Sequence, residues 1–189
     1  YSEETVGHFE ICKLFFESTG FQNPSDDYGM TPLHSAALHG NLQICQMIIE
    51  KVTVSNPVTN DGRFTPLHIA AESGCFEICK LIIDKLADKN PQNIDGETPL
   101  HRVADNDPFC EDHFKICQLI IDLIVEKNPR NHSGTTPLHY AAHNGNLELC
   151  KFIIGKIQER NPRNSGGITP LHYAAENNRL ELCESIIGE

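Results

Sequence analysis

The sequence predicts an all-α solenoid of stacked helix-turn-helix units, because one pattern recurs along its 189 residues. The tetrapeptide TPLH occurs five times, with spacings of 34, 33, 38 and 33 residues, at Thr31–His34, Thr65–His68, Thr98–His101, Thr136–His139 and Thr169–His172. A second motif trails each copy, as ICQMII, ICKLII, ICQLII, LCKFII and LCESII, and a sixth version, ICKLFF, starts at Ile11 without a TPLH before it. One such unit cannot bury its own apolar face, so stacked copies are expected to share a continuous core.

Each unit predicts a turn, a short helix, a second turn and a longer amphipathic helix. The Thr hydroxyl can cap the first helix, and Pro at the first helical position sacrifices no backbone hydrogen bond. A pair of small residues follows, such as Ala70 and Ala71, and a glycine such as Gly74 suits the left-handed end of that helix. In FEICKLIID, which starts at Phe76, apolar residues recur at helical spacing and define one buried face.

These motifs resemble the ankyrin repeat family, and the resemblance covers almost the whole chain. The Gly-x-TPLH turn stands at Gly96 and Gly134, and AESGCFEICKLII and HNGNLELCKFII match the Ala-rich first helix and the second helix. The resemblance implies a slightly curved solenoid with β-hairpin-like finger loops, whose inner helices line a concave face that binds other proteins. We expect one domain over residues 1–189, with units at about 1–22 (partial), 23–55, 56–89, 90–127, 128–160 and 161–189.

The resemblance also gives the tetrapeptide a structural role. In ankyrin proteins its histidine bonds to the backbone between neighbouring turns, and its threonine begins the inner helix. This role is carried over to Thr31, His34, Thr65, His68, Thr98, His101, Thr136, His139, Thr169 and His172.

The chain departs from the family pattern at the ends of its second helices. Where the family usually has glycine, this sequence has Val52, Leu86, Ile124 and Ile157, and prolines follow at Pro57, Pro91, Pro129 and Pro162. Because bulky and β-branched residues avoid left-handed backbone, these helices are predicted to run about one turn longer and to stop before the prolines. The finger before Thr65 is also one residue longer than its counterparts.

Five extra residues interrupt the period between Asp105 and His113, in the loop between the two helices of one unit. Phe114 is predicted to begin the second helix there. Pro108 and the missing glycine predict an extended loop or a single added turn there. The insertion is interpreted first as tolerated on the surface of the array, and second as a loop that contacts a partner. A metal site at Cys110-x-x-His113 is the weakest alternative, because no second ligand pair accompanies it.

Six of the eight cysteines recur at one position of the repeat, namely Cys12, Cys45, Cys79, Cys117, Cys150 and Cys183. Packed helices lie about 8–10 Å apart, which is too far for a disulfide, so these residues are predicted to be buried thiols. A reducing, cytoplasmic setting follows. Only Cys75 and Cys110 lie outside this column, where a disulfide between them is conceivable.

Composition excludes several classes of function. A formal charge of −11 argues against nucleic acid as a partner, and no apolar run approaches the length of a membrane span. Familiar catalytic motifs are missing, and the five histidines outside TPLH are scattered. We therefore predict no enzymatic activity and no catalytic, cofactor-binding or metal site.

The variable positions of the inner helices and fingers predict a protein-binding module. Exposed aromatic and arginine side chains are enriched in binding hot spots. The candidate residues are Tyr28, Met30, Phe64, Ile69, Arg102, Asp105, Tyr140, His143, Ile168 and Tyr173. The acidity favours a protein or peptide partner with basic residues, and apolar residues near both ends favour a monomer or weak end-to-end association. The alternative is a structural spacer of a longer array with no binding site of its own.

Overall fold

The computed structural model describes residues 13, 14, 16–18, 20, 24–51, 56–85, 88–106 and 110–188. Ten helices have defined bounds: α1 Pro32–Leu38, α2 Leu42–Lys51, α3 Pro66–Glu72, α4 Phe76–Lys85, α5 Pro99–Ala104, α6 Glu111–Leu123, α7 Pro137–Asn144, α8 Leu147–Ile154, α9 Pro170–Glu176 and α10 Leu180–Ile187. No strand is assigned in the described ranges, and the predicted all-α solenoid is confirmed. None of the helices described there has the length and apolarity needed to cross a membrane.

The helices form two parallel rows. The odd-numbered inner helices α1, α3, α5, α7 and α9 pack in succession, and each contacts the even-numbered outer helix that follows it. Neighbouring outer helices also pack together, but α6 and α8 are joined mainly through side chains. The rings of Phe114 and Phe152 lie 5.7 Å apart between centroids, and Lys156 pairs with Asp122 at 3.1 Å.

The core between the two rows is built from the repeated apolar positions. The leucines of the first four TPLH motifs are fully buried, as are Cys45, Cys79, Cys117 and Cys150 of the cysteine column. These cysteines are free thiols, and burial raises the pKa of Cys45 and Cys150 to about 12. They therefore act as small apolar core residues rather than as reactive thiolates. Cys183 is also a free thiol but is only half-buried, so the predicted burial is wrong there, and Cys12 lies outside the described residues.

Each inner helix begins with the same cap. Thr98, for example, has extended backbone before α5, Pro99 occupies the first helical position, and His101 in the third position turns its ring back to the Thr98 amide. The other four tetrapeptides form the same reciprocal cap. Gly74 ends α3 with a φ of +68°, the left-handed backbone for which the sequence predicted a glycine.

The finger loops are tight turns, and neighbouring fingers are joined by backbone and side-chain hydrogen bonds. The Asn93 side-chain oxygen accepts from the backbone amides of Asp95 and Glu97, which closes the finger before α5. One backbone bond links each finger to the next, such as His132 N–H to the Asp95 carbonyl at 2.8 Å. The longer finger before Thr65 differs, because Thr59 replaces the Asn or Asp, and Arg63 takes the left-handed backbone at φ 56°.

The predicted extension of the second helices is wrong at both sites that the structure describes. Helix α6 ends at Leu123, where Ile124 turns to extended backbone, and α8 ends at Ile154, before Ile157. At the end of α6, the Lys127 ammonium donates to the carbonyls of Ile121 and Ile124, so a lysine supplies the partner that a longer helix would have provided. Val52 and Leu86 lie outside the described residues.

The described end of the insertion forms an added helical turn, which is one of its two predicted forms, but the second helix begins earlier than the predicted Phe114. Helix α6 begins at Glu111, one turn before Phe114, so the last inserted residues lengthen a helix rather than a loop. Within that turn, His113 Nε2 lies 3.1 Å from the carbonyl oxygen of Glu72 and ties α6 to the end of α3. Cys110 and Cys75 are both free thiols, so the conceivable disulfide is not formed. Residues 107–109 lie outside the described part of the chain.

Candidate functional site

The first four tetrapeptide histidines form a buried column that joins successive turns, whereas His172 is exposed. The Thr98 amide donates to Nδ1 of His101, so Nε2 carries the proton and donates to the Thr135 carbonyl at 3.2 Å. His34, His68 and His139 make the equivalent bonds to the carbonyls of Phe64, Glu97 and Ile168. Burial lowers the pKa of His68 and His101 to about 4, which keeps both rings neutral. These side chains hold the stack together and have no nitrogen left for a ligand.

The residue after each histidine lies on a different face of the same helix. One helical step rotates a side chain by about 100°, which moves this position from the core to the inner surface of the solenoid. The row consists of Ser35, Ile69, Arg102, Tyr140 and Tyr173. Arg102, Tyr140 and Tyr173 are each partly exposed, so the row can contact another molecule.

Arg102 is already engaged by its own chain. Its guanidinium pairs with Glu72 at 2.6 Å and with Glu97 at 3.5 Å, and it lies over the Phe64 ring at 5.5 Å from the centroid. Only 25% of its side chain is exposed. Arg102 therefore links α3 to α5 at the surface, and its guanidinium has little freedom to bind a partner protein.

Glu97 lies at the centre of this polar network, although sequence reasoning did not choose it. Its Oε1 accepts from the Tyr140 hydroxyl at 2.7 Å, and its Oε2 accepts from the Asn93 amide at 3.2 Å. Burial pushes the pKa of Glu97 upward, but the Tyr140 hydrogen bond and the Arg102 charge outweigh it and hold this pKa below its usual value. The signal in the sequence is its position directly before Thr98, where most other fingers have apolar residues.

The structure brings together four predicted residues around one pocket. Asp105, Tyr140, His143 and Tyr173 line a cavity of about 190 Å³, with Thr135 and His139 completing its wall. The His143 ring meets the Tyr173 ring edge to face, with 5.1 Å between centroids. Asp105 and His143 are exposed, whereas both tyrosines are half-buried. This pocket combines two aromatic faces with a carboxylate at its rim.

The other predicted residues do not share one environment. Tyr28 lies at the first finger with 71% of its surface exposed, whereas Ile69 packs against the core. Phe64 lies between Arg102 and the ring of His68, which is 5.9 Å away. Met30 is half-buried, and Ile168 keeps an exposed side chain at the last finger. The apolar candidates Tyr28, Met30, Phe64 and Ile69 therefore do not form one group. Tyr28 lies at a finger tip, Phe64 contacts Arg102 and His68, and Ile69 packs against the core.

A larger groove of about 620 Å³ lies on the opposite side, between the ends of α6 and α8. It is lined by residues such as Val125, Lys127 and Arg130, and Arg130 is paired with Glu159 at 3.1 Å. Neither this groove nor any other place in the described ranges groups three His, Cys, Asp or Glu side chains in a way that could hold a metal ion.

Two rows of helices, a repeated capped turn and a lateral histidine column define the class of this molecule as a helical repeat solenoid. Models of ankyrin repeats match residues 54–128 and 110–189 in a three-copy form and residues 7–49 in a many-copy form. The chain belongs to the ankyrin repeat family. A search of curated proteins finds no match. Ankyrin repeats generally act in protein-protein interactions, and the family is typically non-enzymatic.

Proposed function

We propose that this chain is a non-enzymatic module that binds a partner protein through its concave inner-helix face and the adjoining finger loops. The observation that supports this proposal is the pocket between α5, α7 and α9, where half-buried Tyr140 and Tyr173 face an exposed carboxylate. Binding hot spots are enriched in tyrosine, in arginine and in small pockets that exclude water.

The same pocket favours binding over the alternative of a structural spacer. Tyr173 is half-buried and packs against the core, and its ring meets the rings of His139 and His143 edge to face. The same position in α1 is the small residue Ser35, so the repeat itself does not require an aromatic side chain there. The aromatic pair that lines the pocket therefore supports a binding role over that of a spacer.

The charge of the face indicates the chemistry of the partner. One position of four successive repeats holds, in order, Glu72, Asp105, His143 and Glu176, so three of the four are acidic. The whole chain has a formal charge of −11. Complementary charge speeds encounter and selects partners more than it raises affinity. A segment with basic residues is therefore the proposed ligand, and a reducing compartment such as the cytoplasm suits a chain with a column of free buried thiols.

The test is partner capture followed by a measured affinity. The wild-type chain is used to capture proteins from its source, the captured protein is identified and purified, and its Kd is measured by calorimetry. Replacing both Tyr140 and Tyr173 with alanine should weaken that Kd at least about tenfold, because two aromatic anchors are lost. The helical circular dichroism should stay unchanged.

The matched control removes two apolar side chains from the outer side of the solenoid. Leu123 and Val125 are 47% and 98% exposed, and their joint change to alanine should leave the Kd within about twofold of wild type. If the tyrosine variant binds the purified partner as tightly as this control does, the pocket is not the binding site.

A further inference from the structure

The chain repeats a three-part junction on its concave face. Each junction consists of the finger residue before a TPLH threonine, the inner-helix residue eight positions later, and the residue after the next TPLH histidine. After an apolar set formed by Met30, Leu38 and Ile69, the three sets with polar members are, in order, Phe64, Glu72 and Arg102; Glu97, Asp105 and Tyr140; and Thr135, His143 and Tyr173. Because the sets are equivalent by repeat, their differences can be compared position by position.

In the first of these three sets the chain supplies its own cation. Arg102 lies with its guanidinium over the Phe64 ring at 5.5 Å and pairs with Glu72 at 2.6 Å. A guanidinium gains from an aromatic face and a carboxylate together, because its planar surface stacks while its N–H groups form directed bonds. This junction is a guanidinium cradle built and filled within one molecule.

The next two sets contain no arginine or lysine, and together they supply two tyrosines and one carboxylate, that of Asp105, to the pocket. Tyr140 and Tyr173 replace arginine, and Asp105 stands where Glu72 stands one repeat earlier. Neither lysine nor arginine is among the six residues that line the 190 Å³ pocket. Asp105 forms no ion pair within the described part of the chain, and its closest polar partner there is the Asn144 amide at 3.4 Å.

The neighbouring guanidinium groups are held elsewhere. Arg102 is committed to Glu72 and Glu97, and Arg179 donates at 2.7 Å to the carbonyls of Ala142 and His143 at the end of α7. Neither group is therefore free to turn toward Asp105. The pocket keeps a negative rim and two aromatic walls that are open to the concave face.

We propose that this pocket accepts the guanidinium of an arginine presented by an extended segment of a partner protein. This inference rests on the proposed function and names the group that the pocket recognises. Arginine fits better than lysine, because a planar, weakly hydrated guanidinium stacks on tyrosine while it donates to a carboxylate, as Arg102 does one junction away.

The probe is a blocked heptapeptide with a single arginine between glycine-serine flanks, and matched peptides with lysine or citrulline at that position. Titration followed by NMR of the chain should shift signals of Tyr140, His143 and Tyr173. The arginine peptide should bind about tenfold more tightly than the uncharged citrulline peptide, with lysine between them. Absence of shifts at these residues, or equal binding of arginine and citrulline, would overturn the proposal.

Two carboxylate variants distinguish binding at the pocket from attraction to the net negative charge of the chain. Asp105→Asn should reduce the preference for arginine over citrulline to about twofold, because the rim charge is lost. Asp84→Asn, at an exposed position on the outer helix α4, removes the same charge far from the pocket and should keep the full preference. Equal effects of the two variants would mean that the net charge, and not the pocket, attracts the peptide.

The outcomes distinguish this proposal from the broader one. If the double tyrosine variant fails to bind the captured partner while arginine and citrulline peptides bind alike, the concave face is a binding site but the arginine assignment is wrong. If the captured partner ignores the tyrosine change, the broader proposal fails.

Discussion

The buried and the partly exposed faces of the same short inner helices contrast sharply. His101 is 1% exposed and bonds at both ring nitrogens, whereas the next residue, Arg102, is partly exposed. Every inner helix repeats the histidine, because each must complete the same cap, and the first four also bridge to the next turn. The position after it varies from serine to isoleucine, arginine and tyrosine, because no shared bond fixes it. The fold thus uses one position of the helix and leaves its neighbour available for recognition.

The largest expected effect is the loss of stability of the buried histidine column in acid. Burial lowers the pKa of His68 and His101 from 6.5 to about 4, and it lowers the pKa of His34 and His139 as well. The unfolded chain therefore binds the extra protons, and the stability from neutral rings is complete above about 6.5 and is lost as the pH falls towards about 4. His68 and His101 should each contribute up to about 3 kcal/mol over this window.

Urea unfolding at several pH values between about 7 and 5 measures this effect above the range where most carboxylates titrate. His101→Ala should show a shallower pH dependence than wild type. A stability that stays flat over this window would contradict the neutral, bonded histidine column.

Removing one histidine at neutral pH should have the next largest effect. His101→Ala leaves the Thr98 amide and the Thr135 carbonyl without their partners and opens a cavity beside Leu100. The free energy of unfolding should fall by about 2–4 kcal/mol. His132→Ala, at an exposed finger position, is the control and should change it by less than about 0.5 kcal/mol. If both variants lose the same free energy of unfolding, the buried histidine column contributes no more to stability than an exposed histidine does.

Breaking the Arg102 cradle should cost less, because this network lies near the surface. Arg102→Met keeps the aliphatic stem but leaves half-buried Glu97 without its cation, so the unfolding free energy should fall by about 1–2 kcal/mol. Lys151→Met removes an exposed ion pair with Glu181 and should change it by less than about 0.5 kcal/mol. Urea midpoints that agree for the two variants would show that the cradle adds no more than an ordinary surface pair.

The sequence was sufficient to predict those features that repeat. TPLH predicted the capped inner helices, the recurring cysteine predicted the buried thiol column, and the spacing predicted stacked pairs. Such features follow from contacts that each unit makes with an equivalent neighbour, so one pattern contains them all.

Features that depend on a single copy could not be predicted in this way. The end of α6 is set by Lys127 reaching the carbonyls of Ile121 and Ile124, and the start of α6 at Glu111 accompanies a bond from His113 to α3. Within the candidate site, the residue type of Tyr140 predicted exposure but not its bond to Glu97. The His113 and Tyr140 contacts join residues from different units, and the Lys127 contact depends on how the chain turns after α6. The sequence around either residue of such a pair does not show which partner it will meet.

The most direct test of the division between folding and recognition compares two adjacent residues of α7. His139→Ala and Tyr140→Ala are measured for both urea stability and affinity for the purified partner captured by the wild-type chain. We expect His139→Ala to lower the free energy of unfolding by about 2–4 kcal/mol. Tyr140→Ala should lower it by about 1–2 kcal/mol, because its hydroxyl donates to Glu97 and its ring packs against the core, and it should weaken partner binding at least about fivefold. If Tyr140→Ala destabilises the chain as much as His139→Ala, or leaves the affinity unchanged, this division of roles is contradicted.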